Sequence, residues 1–136
     1  MKNCLFCKIV KGEIPSYKIY EDEKTLAFLD VNPVSRGHTL VIPKKHTTNL
    51  FDISKEDLIA ISVTIKKIAQ ILKDKLGADG INVLQANEKI AGQSVFHIHF
   101  HIIPRYKNDK LRLFPQKKYL KKDFKETLKE IKGFKN

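Results

Sequence analysis

Three histidines spaced two residues apart are the residues of this chain best suited to chemistry. They are His97, His99 and His101. In an extended chain the side chains of residues i and i+2 share a face, so the spacing puts three imidazoles in one row, neighbours roughly 6.5–7 Å apart. The residues that alternate with them are apolar and typical of a core face: Phe96, Ile98, Phe100 and Ile102. The pattern therefore predicts a strand over 95–103 with one histidine face and one core face.

A row of imidazoles can be interpreted in three ways. An edge strand could carry histidines at outward positions without any chemical role. A neutral imidazole is also a nucleophile near pH 7 and a common metal ligand. The row is too wide for all three rings to bind one small ion, because a Zn–N bond is about 2.1 Å long. At most one histidine of the row is expected to serve a given metal, and the others then need a different role.

The two cysteines of the chain form a Cys-x-x-Cys pair, Cys4 and Cys7. They are too close together for a disulfide between them to cross-link distant parts of the chain, and their surroundings do not favour a thioredoxin-type redox role. The pair becomes a zinc site if two histidines complete a tetrahedron of ligands. This sparing use of cysteine is typical of cytosolic proteins, and we expect a cytoplasmic location.

Length and charge predict one domain with a basic end. We expect residues 1–136 to form a single domain, with a core at about 5–105 and a basic segment at 106–136. We expect neither a membrane span, because no apolar run approaches about 20 residues, nor secretion, because no leader pattern is present. Of the net charge of +11, +8 falls from Arg105 onward, where there are twelve Lys or Arg and four Asp or Glu. Any nucleic-acid binding is therefore expected of that segment alone.

The remaining patterns predict an α+β fold. Ser54 is expected to cap a long helix that ends at Leu76, because Gly77 is a typical helix stop. An amphipathic helix is predicted in the basic segment from the spacing of Leu120, Phe124, Leu128 and Ile131. The other predicted elements are a short helix or turn at 4–10 and strands at 17–20, 25–30, 38–42 and 81–86. Runs of strands around one long helix are typical of an antiparallel sheet.

Three blocks of the sequence resemble the histidine-triad (HIT) family of nucleotide hydrolases and transferases, and its HINT-like branch in particular. They are Ala27–Pro33, Gly37–His46 and Gly92–Arg105, in the order of the family. The resemblance covers about Leu5 to Arg105. It implies a five-stranded antiparallel sheet with one long helix, and pairing into a homodimer with a continuous sheet.

The resemblance also implies roles for the site residues. His99 is the expected nucleophile, which attacks phosphorus and forms a covalent nucleotidyl-histidine. Ser94 and His101 are expected around the phosphate, and His38 is expected to help position the site. Asp30 is expected to take the ribose hydroxyls, because a carboxylate can accept from both hydroxyls of a vicinal diol. The expected base pocket is apolar and consists of Leu5, Phe6, Ile9, Phe28 and Val31.

Two polar residues, Gln93 and Asn87, are also assigned to the nucleotide by the resemblance. HINT-like proteins carry an asparagine before the glycine-containing loop, where it contacts phosphate. Counting back from Gln93 without a gap puts Ala86 at that position, and Asn87 fits if the loop is one residue shorter. A one-residue shift turns a strand side chain to the other face, so the two alternatives differ in geometry and both stay open.

The resemblance implies a structural zinc ion as well. Many bacterial HIT proteins bind zinc through a Cys-x-x-Cys pair, a histidine after the third strand and the first histidine of the row. Here these residues are Cys4, Cys7, His46 and His97, the last of which also belongs to the catalytic row. The ion would hold the N-terminus beside the histidines and would have no open coordination position.

The function implied is hydrolysis of purine nucleoside 5′-phosphoramidates to the nucleoside monophosphate. Two alternatives stay open at this point. The first is a diadenosine polyphosphate hydrolase or phosphorylase, since Pro104 and Arg105 after the row also occur in that branch. The second is a nucleotide-binding module without enzymatic activity.

Overall fold

Five antiparallel strands form one sheet in the computed structural model, which describes residues 3–112 and 114–133. The strands are β1 (Lys18–Glu21), β2 (Thr25–Leu29), β3 (Thr39–Pro43), β4 (Gly80–Gln85) and β5 (Phe100–Arg105). The helices are α1 (Leu5–Val10), α2 (Lys55–Leu76) and α3 (Lys121–Lys132). The spatial order of the strands is β1-β2-β3-β5-β4. The predicted α+β fold with a five-stranded antiparallel sheet is confirmed.

Helix α2 has the bounds that its end signals predict, and it covers one face of the sheet. The Ser54 side chain accepts a hydrogen bond from the Asp57 backbone N–H, and Gly77 ends the helix at φ 66° in the left-handed region. The buried face of α2 packs against alternate residues of β2, β3 and β5. The core on this side consists of Ala27, Val41, Ile61, Ile68, Leu72 and Ile102.

The opposite face of the sheet carries the histidines and is covered by the short helix α1. In the strand register Phe28 pairs with Leu40 and Leu40 pairs with His101, so all three side chains lie on this face. A second apolar cluster forms here, from Phe6, Leu26, Phe28, Leu40 and Ile42. The histidine face therefore has an apolar wall on the side of β2 and α1.

The histidine strand begins later than predicted. Strand β5 starts at Phe100, so His97 and His99 lie in an irregular segment before it. Strand β3 pairs with β5 only as far as Val41 opposite Phe100 and ends at Pro43, which has no N–H to continue a ladder. The Ile98 N–H donates instead to the Thr47 carbonyl at 2.8 Å. The other four strands lie within one residue of their predicted bounds.

The predicted core face of the row is only partly present. Ile98 and Ile102 are fully buried, whereas Phe96 exposes 50% of its surface. The prediction of a core position is wrong for Phe96, because regular alternation does not hold where the backbone leaves the extended conformation. The exposed aromatic ring stands next to the histidine row.

The basic segment contains the predicted amphipathic helix, α3. Its apolar residues Leu120, Phe124, Leu128 and Ile131 are 51–64% exposed, so they do not pack on the body of the protein as their spacing would suggest. Before the helix, Leu111 and Phe114 border an apolar cavity of about 310 Å³ that residues of β4 and β5 also line. Residues 113 and 134–136 of this segment lie outside the described part of the chain. Within that part, no helix is long and apolar enough to cross a membrane.

Candidate active site and metal cluster

A cavity of about 250 Å³ on the histidine face brings most of the predicted site residues together. Asp30, Ser94, His99 and His101 line its polar side. The predicted base pocket lines its apolar side: Leu5, Phe6, Ile9, Phe28 and Val31. The Phe6 ring packs in T-shaped arrangements against both the Phe28 ring and the His99 ring, with centroid distances of 5.5 and 5.1 Å.

The cavity also has lining residues that the sequence did not single out: Pro15, Ser16, Leu29, Asn32, Leu40 and Val95. The period-two pattern of β3 could have identified Leu40, since it lies two residues after His38 and therefore on the same face. The loop residues Pro15, Ser16 and Asn32 follow no periodicity, and no local signal identifies them.

His99 has one ring nitrogen fixed as a donor. Its Nδ1 lies 2.9 Å from the backbone carbonyl of His97, and a carbonyl only accepts hydrogen bonds. In the neutral ring Nδ1 therefore carries the proton, and Nε2 presents a lone pair. His99 is 7% exposed. Burial lowers its pKa, which keeps the ring neutral at pH 7.

His38 and His101 form a chain with a fixed direction. The Val34 backbone N–H donates to His38 Nδ1 at 3.1 Å, so the proton of the neutral His38 ring lies on Nε2. His38 Nε2 lies 2.9 Å from His101 Nδ1 and donates to it. His101 must then carry its own proton on Nε2, the nitrogen that is left to act as a donor. The sequence pattern cannot reveal this order of protons, because it depends on the Val34 N–H.

Asp30 lies at the junction between this chain and the cavity. One carboxylate oxygen accepts from the Asn32 backbone N–H at 2.8 Å. The other lies 3.5 Å from His38 Nε2 and 4.0 Å from His101 Nδ1. Burial nevertheless lowers the pKa of His38, and burial together with the neighbouring imidazoles lowers the pKa of His101 to about 4. Both rings are therefore neutral at pH 7, and Asp30 supplies the negative charge beside them.

The four predicted metal ligands also come together. Cys4, Cys7, His46 and His97 each offer one ligand atom, and these atoms lie within 4.8 Å of one another. His97 is fully buried and its Nε2 donates to the Pro43 carbonyl at 2.8 Å, so its Nδ1 lone pair faces the sulfur atoms. Both cysteines are free thiols. This group of residues could bind a metal ion.

The distances in the cluster fit a tetrahedral ion of the size of zinc. Bonds of about 2.3 Å to sulfur and 2.1 Å to nitrogen give sulfur–nitrogen edges of about 3.6 Å in a regular tetrahedron. The observed edges are 3.4 Å from Cys4 Sγ to His97 Nδ1, 3.6 Å from Cys7 Sγ to the same atom, and 3.4 Å from Cys7 Sγ to His46 Nδ1. Two sulfur and two imidazole ligands also suit zinc chemically.

Gln93 and Asn87 do not line the cavity among the described residues. The Gln93 amide is buried and donates to the carbonyls of Thr48 and Val95, while its oxygen accepts from the Glu88 N–H. Asn87 exchanges hydrogen bonds with Gln85 and accepts from the Leu50 N–H. Both side chains hold loops together. Ala86, the alternative to Asn87, follows the last residue of β4 and does not reach the cavity either.

Comparisons with known proteins identify the same family as the sequence motifs. The family model described as HIT domain matches residues 11–108. An adenosine 5′-monophosphoramidase of Candida albicans is 46% identical over 107 residues, 76% of this chain and 70% of that protein. A crystal structure of a HIT family member from Bacillus subtilis superposes with a TM-score of 0.89 at 42% identity, covering 96% of both chains. The crystal structure of a zinc-bound histidine-triad protein from Mycobacterium smegmatis has a TM-score of 0.79 at 44% identity, covering 85% of this chain and 84% of that one.

Proposed function

Because the chain belongs to the HIT family, we propose that it hydrolyses purine nucleoside 5′-phosphoramidates to the nucleoside monophosphate through a covalent intermediate on His99. The observation that carries the proposal is the fixed tautomer of His99: Nδ1–H is held by the His97 carbonyl, and the residue lines a cavity with Asp30 and an apolar pocket. A nucleophile, an acceptor for ribose and a pocket for a base are thus within one cavity. The similarity to an adenosine 5′-monophosphoramidase also supports this substrate class.

The reaction consists of two displacements at phosphorus. First, the Nε2 lone pair of His99 forms a bond to phosphorus while the P–N bond of the substrate breaks, and the leaving nitrogen keeps the electron pair and takes up one proton. Water then attacks phosphorus, the P–Nε2 bond breaks, and the proton lost by water balances the one taken up. Each displacement has a lower barrier than a single attack by water.

The other polar residues of the cavity stabilise the transferring phosphoryl group. His101 supplies an N–H on Nε2, and its orientation is set by His38, which acts as a positioning residue. The Ser94 hydroxyl is a second donor at the rim of the same cavity. Donors that are oriented before the reaction stabilise developing charge most effectively, because they need no rearrangement during the step.

The nucleoside half is held by Asp30 and the apolar wall. Asp30 has an oxygen that is not used by the Asn32 N–H and can accept from the ribose hydroxyls. Leu5, Phe6, Ile9, Phe28 and Val31 provide the surface for a purine base. Gln93 and Asn87 contribute by fixing the loops that carry Ser94, since their own polar atoms are bonded elsewhere.

Zinc is the metal that we assign to Cys4, Cys7, His46 and His97. When bound, it would supply a structural cross-link and no reaction chemistry, because four protein ligands leave no open position. The cysteines flank Phe6 and the ligand His97 holds the nucleophile through its carbonyl, so the cluster supports both the base pocket and His99. A cytoplasmic location, which would keep both thiols reduced, is part of the proposal.

We propose that the functional oligomeric state is a homodimer with a continuous sheet, and that each cavity binds a purine nucleotide. Strand β4 lies at one end of the strand order, and its Val83 and Leu84 are 47% and 41% exposed, which supports pairing at this edge. Nucleic acid is not a proposed partner, except through the basic segment. The whole of residues 1–136 is treated as one domain in this proposal.

The decisive experiment compares two substrates and one variant. The wild-type protein is expected to convert adenosine 5′-phosphoramidate to AMP, with a higher kcat/KM than for a diadenosine polyphosphate assayed alongside. His99→Ala should abolish turnover while AMP binding stays measurable, and a nucleotidyl adduct on His99 should be trapped in the wild-type protein by rapid quenching. Substantial turnover by the variant would exclude His99 as the nucleophile. A lack of any adduct together with tight AMP binding would favour a non-enzymatic binding module.

A further inference from the structure

The loop between β2 and β3 supplies the hydrogen bond on which the proton order of the histidine chain depends. The Val34 N–H donates to His38 Nδ1 at 3.1 Å, which places the His38 proton on Nε2, where it is donated to His101. Val34 is exposed, however, and an exposed N–H readily exchanges a protein acceptor for water. The alignment of this N–H therefore depends on what holds the loop in place.

Ser35 ties the loop to β5 at the point where sheet pairing ends. The pairing of β3 with β5 stops at Thr39 opposite Ile102, and two residues further along β5 stands Pro104, which has no N–H to donate. The Pro104 carbonyl accepts a hydrogen bond from the Ser35 hydroxyl instead, at 2.7 Å. A side-chain donor thus replaces the backbone donor that a continued ladder would supply.

The same turn has two further contacts with the body of the protein. The Tyr106 hydroxyl donates to the Arg36 carbonyl at 2.9 Å. Gly37 has a φ of 89°, and a Cβ at this position would lie 2.5 Å from the Leu76 side chain, so the turn packs directly against the end of α2. The Thr39 hydroxyl also donates to the Gly37 carbonyl, but this bond joins residues two apart in the chain and does not tie the turn to β5. Two hydroxyl groups from different chain segments therefore link the turn to the end of β5.

We propose that Ser35 and Tyr106 are positioning residues for the phosphoramidate reaction, an inference that rests on the proposed function. Neither side chain lines the nucleotide cavity, so they act through the loop and not on the substrate. Ser35 directly follows Val34, and its carbonyl accepts from the His38 N–H at 3.1 Å, so fixing Ser35 also fixes the Val34 N–H relative to the His38 ring. Once the turn is released from β5, the His38 proton can occupy Nδ1, and His101 then loses the bond that keeps its own proton on Nε2.

Two substitutions that each remove one hydroxyl test the positioning role: Ser35→Ala and Tyr106→Phe. In each variant, kcat for adenosine 5′-phosphoramidate should fall roughly 2- to 10-fold, the effect of one hydrogen bond on an equilibrium. The ¹⁵N–¹H spectra of the free variants should show a fraction of His38 protonated on Nδ1. Ser35→Thr keeps the hydroxyl and should restore most of the wild-type kcat. The matched controls are Ser62→Ala and Tyr20→Phe, which remove hydroxyls that donate within α2 and in the turn after β1, and they should change neither kcat nor the tautomer.

The outcomes separate a positioning role from a purely structural one and from the underlying reaction. An unchanged kcat in both variants, a fall in kcat with the tautomers of His38 and His101 unchanged, or an equal fall in the controls would overturn the positioning role. Adenosine affinity, measured by calorimetry, should be unchanged, and a loss as large as that of kcat would show a general disturbance of the site and overturn the role as well. Absence of turnover by the wild-type protein would overturn the proposed function. The tautomer spectra need no substrate, so they would then still support the hydrogen-bond order if Ser35→Ala differs from wild type, and overturn it if the two agree.

Discussion

Replacing His38 with phenylalanine should lower kcat without leaving a cavity at the position of the imidazole ring. His38 is 3% exposed, so a ring of similar size fills its space. The substitution removes two hydrogen bonds: the Val34 N–H to Nδ1 at 3.1 Å, and Nε2–H to His101 Nδ1 at 2.9 Å. Without the second bond, the proton of His101 is free to occupy Nδ1. His101 Nε2 would then become an acceptor and repel the phosphate oxygens that it should bind.

The size of the effect follows from the hydrogen bond that fixes the tautomer. A buried polar group that loses its partner costs about 1–3 kcal/mol. At 1.36 kcal/mol for each factor of ten in rate, this corresponds to a fall in kcat of roughly 5- to 150-fold. The free energy of unfolding should also fall, by about 1–3 kcal/mol, because the Val34 N–H that donates to the buried His38 ring loses its acceptor.

The assay combines kinetics with a direct measurement of the tautomer. Steady-state hydrolysis of adenosine 5′-phosphoramidate gives kcat, and ¹⁵N–¹H correlation spectra of the imidazole rings show which nitrogen of His101 is protonated. Thr39→Val is the matched control, since Thr39 is fully buried and its hydroxyl donates to the Gly37 carbonyl at 2.8 Å. The control should lose stability but keep its kcat. A kcat within twofold of wild type in His38→Phe, with His101 still protonated on Nε2, would refute the reasoning.

Three further predictions concern the metal, the pH and the basic segment. The purified protein should contain one zinc ion per chain, and the Cys7→Ser variant should contain none. The variant should also have a lower Tm and a lower AMP affinity, because α1 carries part of the proposed base pocket. Metal analysis and calorimetry test this, and a zinc stoichiometry near zero in the wild-type protein would refute it. Folding stability should decrease as the pH falls from 6.5 towards 4, since the unfolded chain protonates His101 at an ordinary pKa near 6.5 and the folded chain only at about 4. The part of the free energy of unfolding that His101 loses on acidification is fully present above pH 6.5 and amounts to at most about 3 kcal/mol. It can be measured from urea midpoints at pH 7, 5.5 and 4.5. In His101→Gln the midpoint should depend less on pH than in the wild-type protein. Deleting the residues after Phe114 should lower kcat/KM more than kcat and make kcat/KM less dependent on salt. The reason is that the lysines of this segment attract anionic substrates over about 10 Å at 0.1 M salt. If the deletion leaves kcat and kcat/KM unchanged at low and high salt, the segment has no such role.

The sequence predicts the fold well where a local signal coincides with a packing requirement. Ser54, Gly77 and the apolar stripe between them all predict the same helix, and the structure contains it as α2 with these two residues as its caps. The basic segment shows the limit of such signals. The spacing of Phe124 and Leu128 correctly predicts a helix, but amphipathicity does not identify what an apolar face packs against, and both residues are exposed.

The fifth strand shows a different limit. Alternation of side chains indicates which residues share a face, but a strand also needs a partner for its backbone. Pro43 ends β3, and its carbonyl accepts from His97 Nε2, so no ladder continues opposite His97. The prediction was therefore right about the faces of His101 and Ile102 and wrong about the backbone from residue 95 to 99. The exposed position of Phe96 is a consequence of this break.

The break also explains how neighbouring histidines can have separate roles. In a regular strand the three rings would stand in equivalent surroundings, and similar rings would compete for similar partners. Here each ring has one nitrogen held by a different acceptor or donor: the Pro43 carbonyl for His97, the His97 carbonyl for His99, and His38 for His101. The remaining nitrogens consequently differ: His97 Nδ1 presents a lone pair to the two thiols, and His99 Nε2 presents a lone pair to the cavity. His101 Nε2 carries a proton and is a donor. Since the His97 carbonyl fixes the tautomer of His99, the proposed metal ligands and the proposed nucleophile are joined through a single residue.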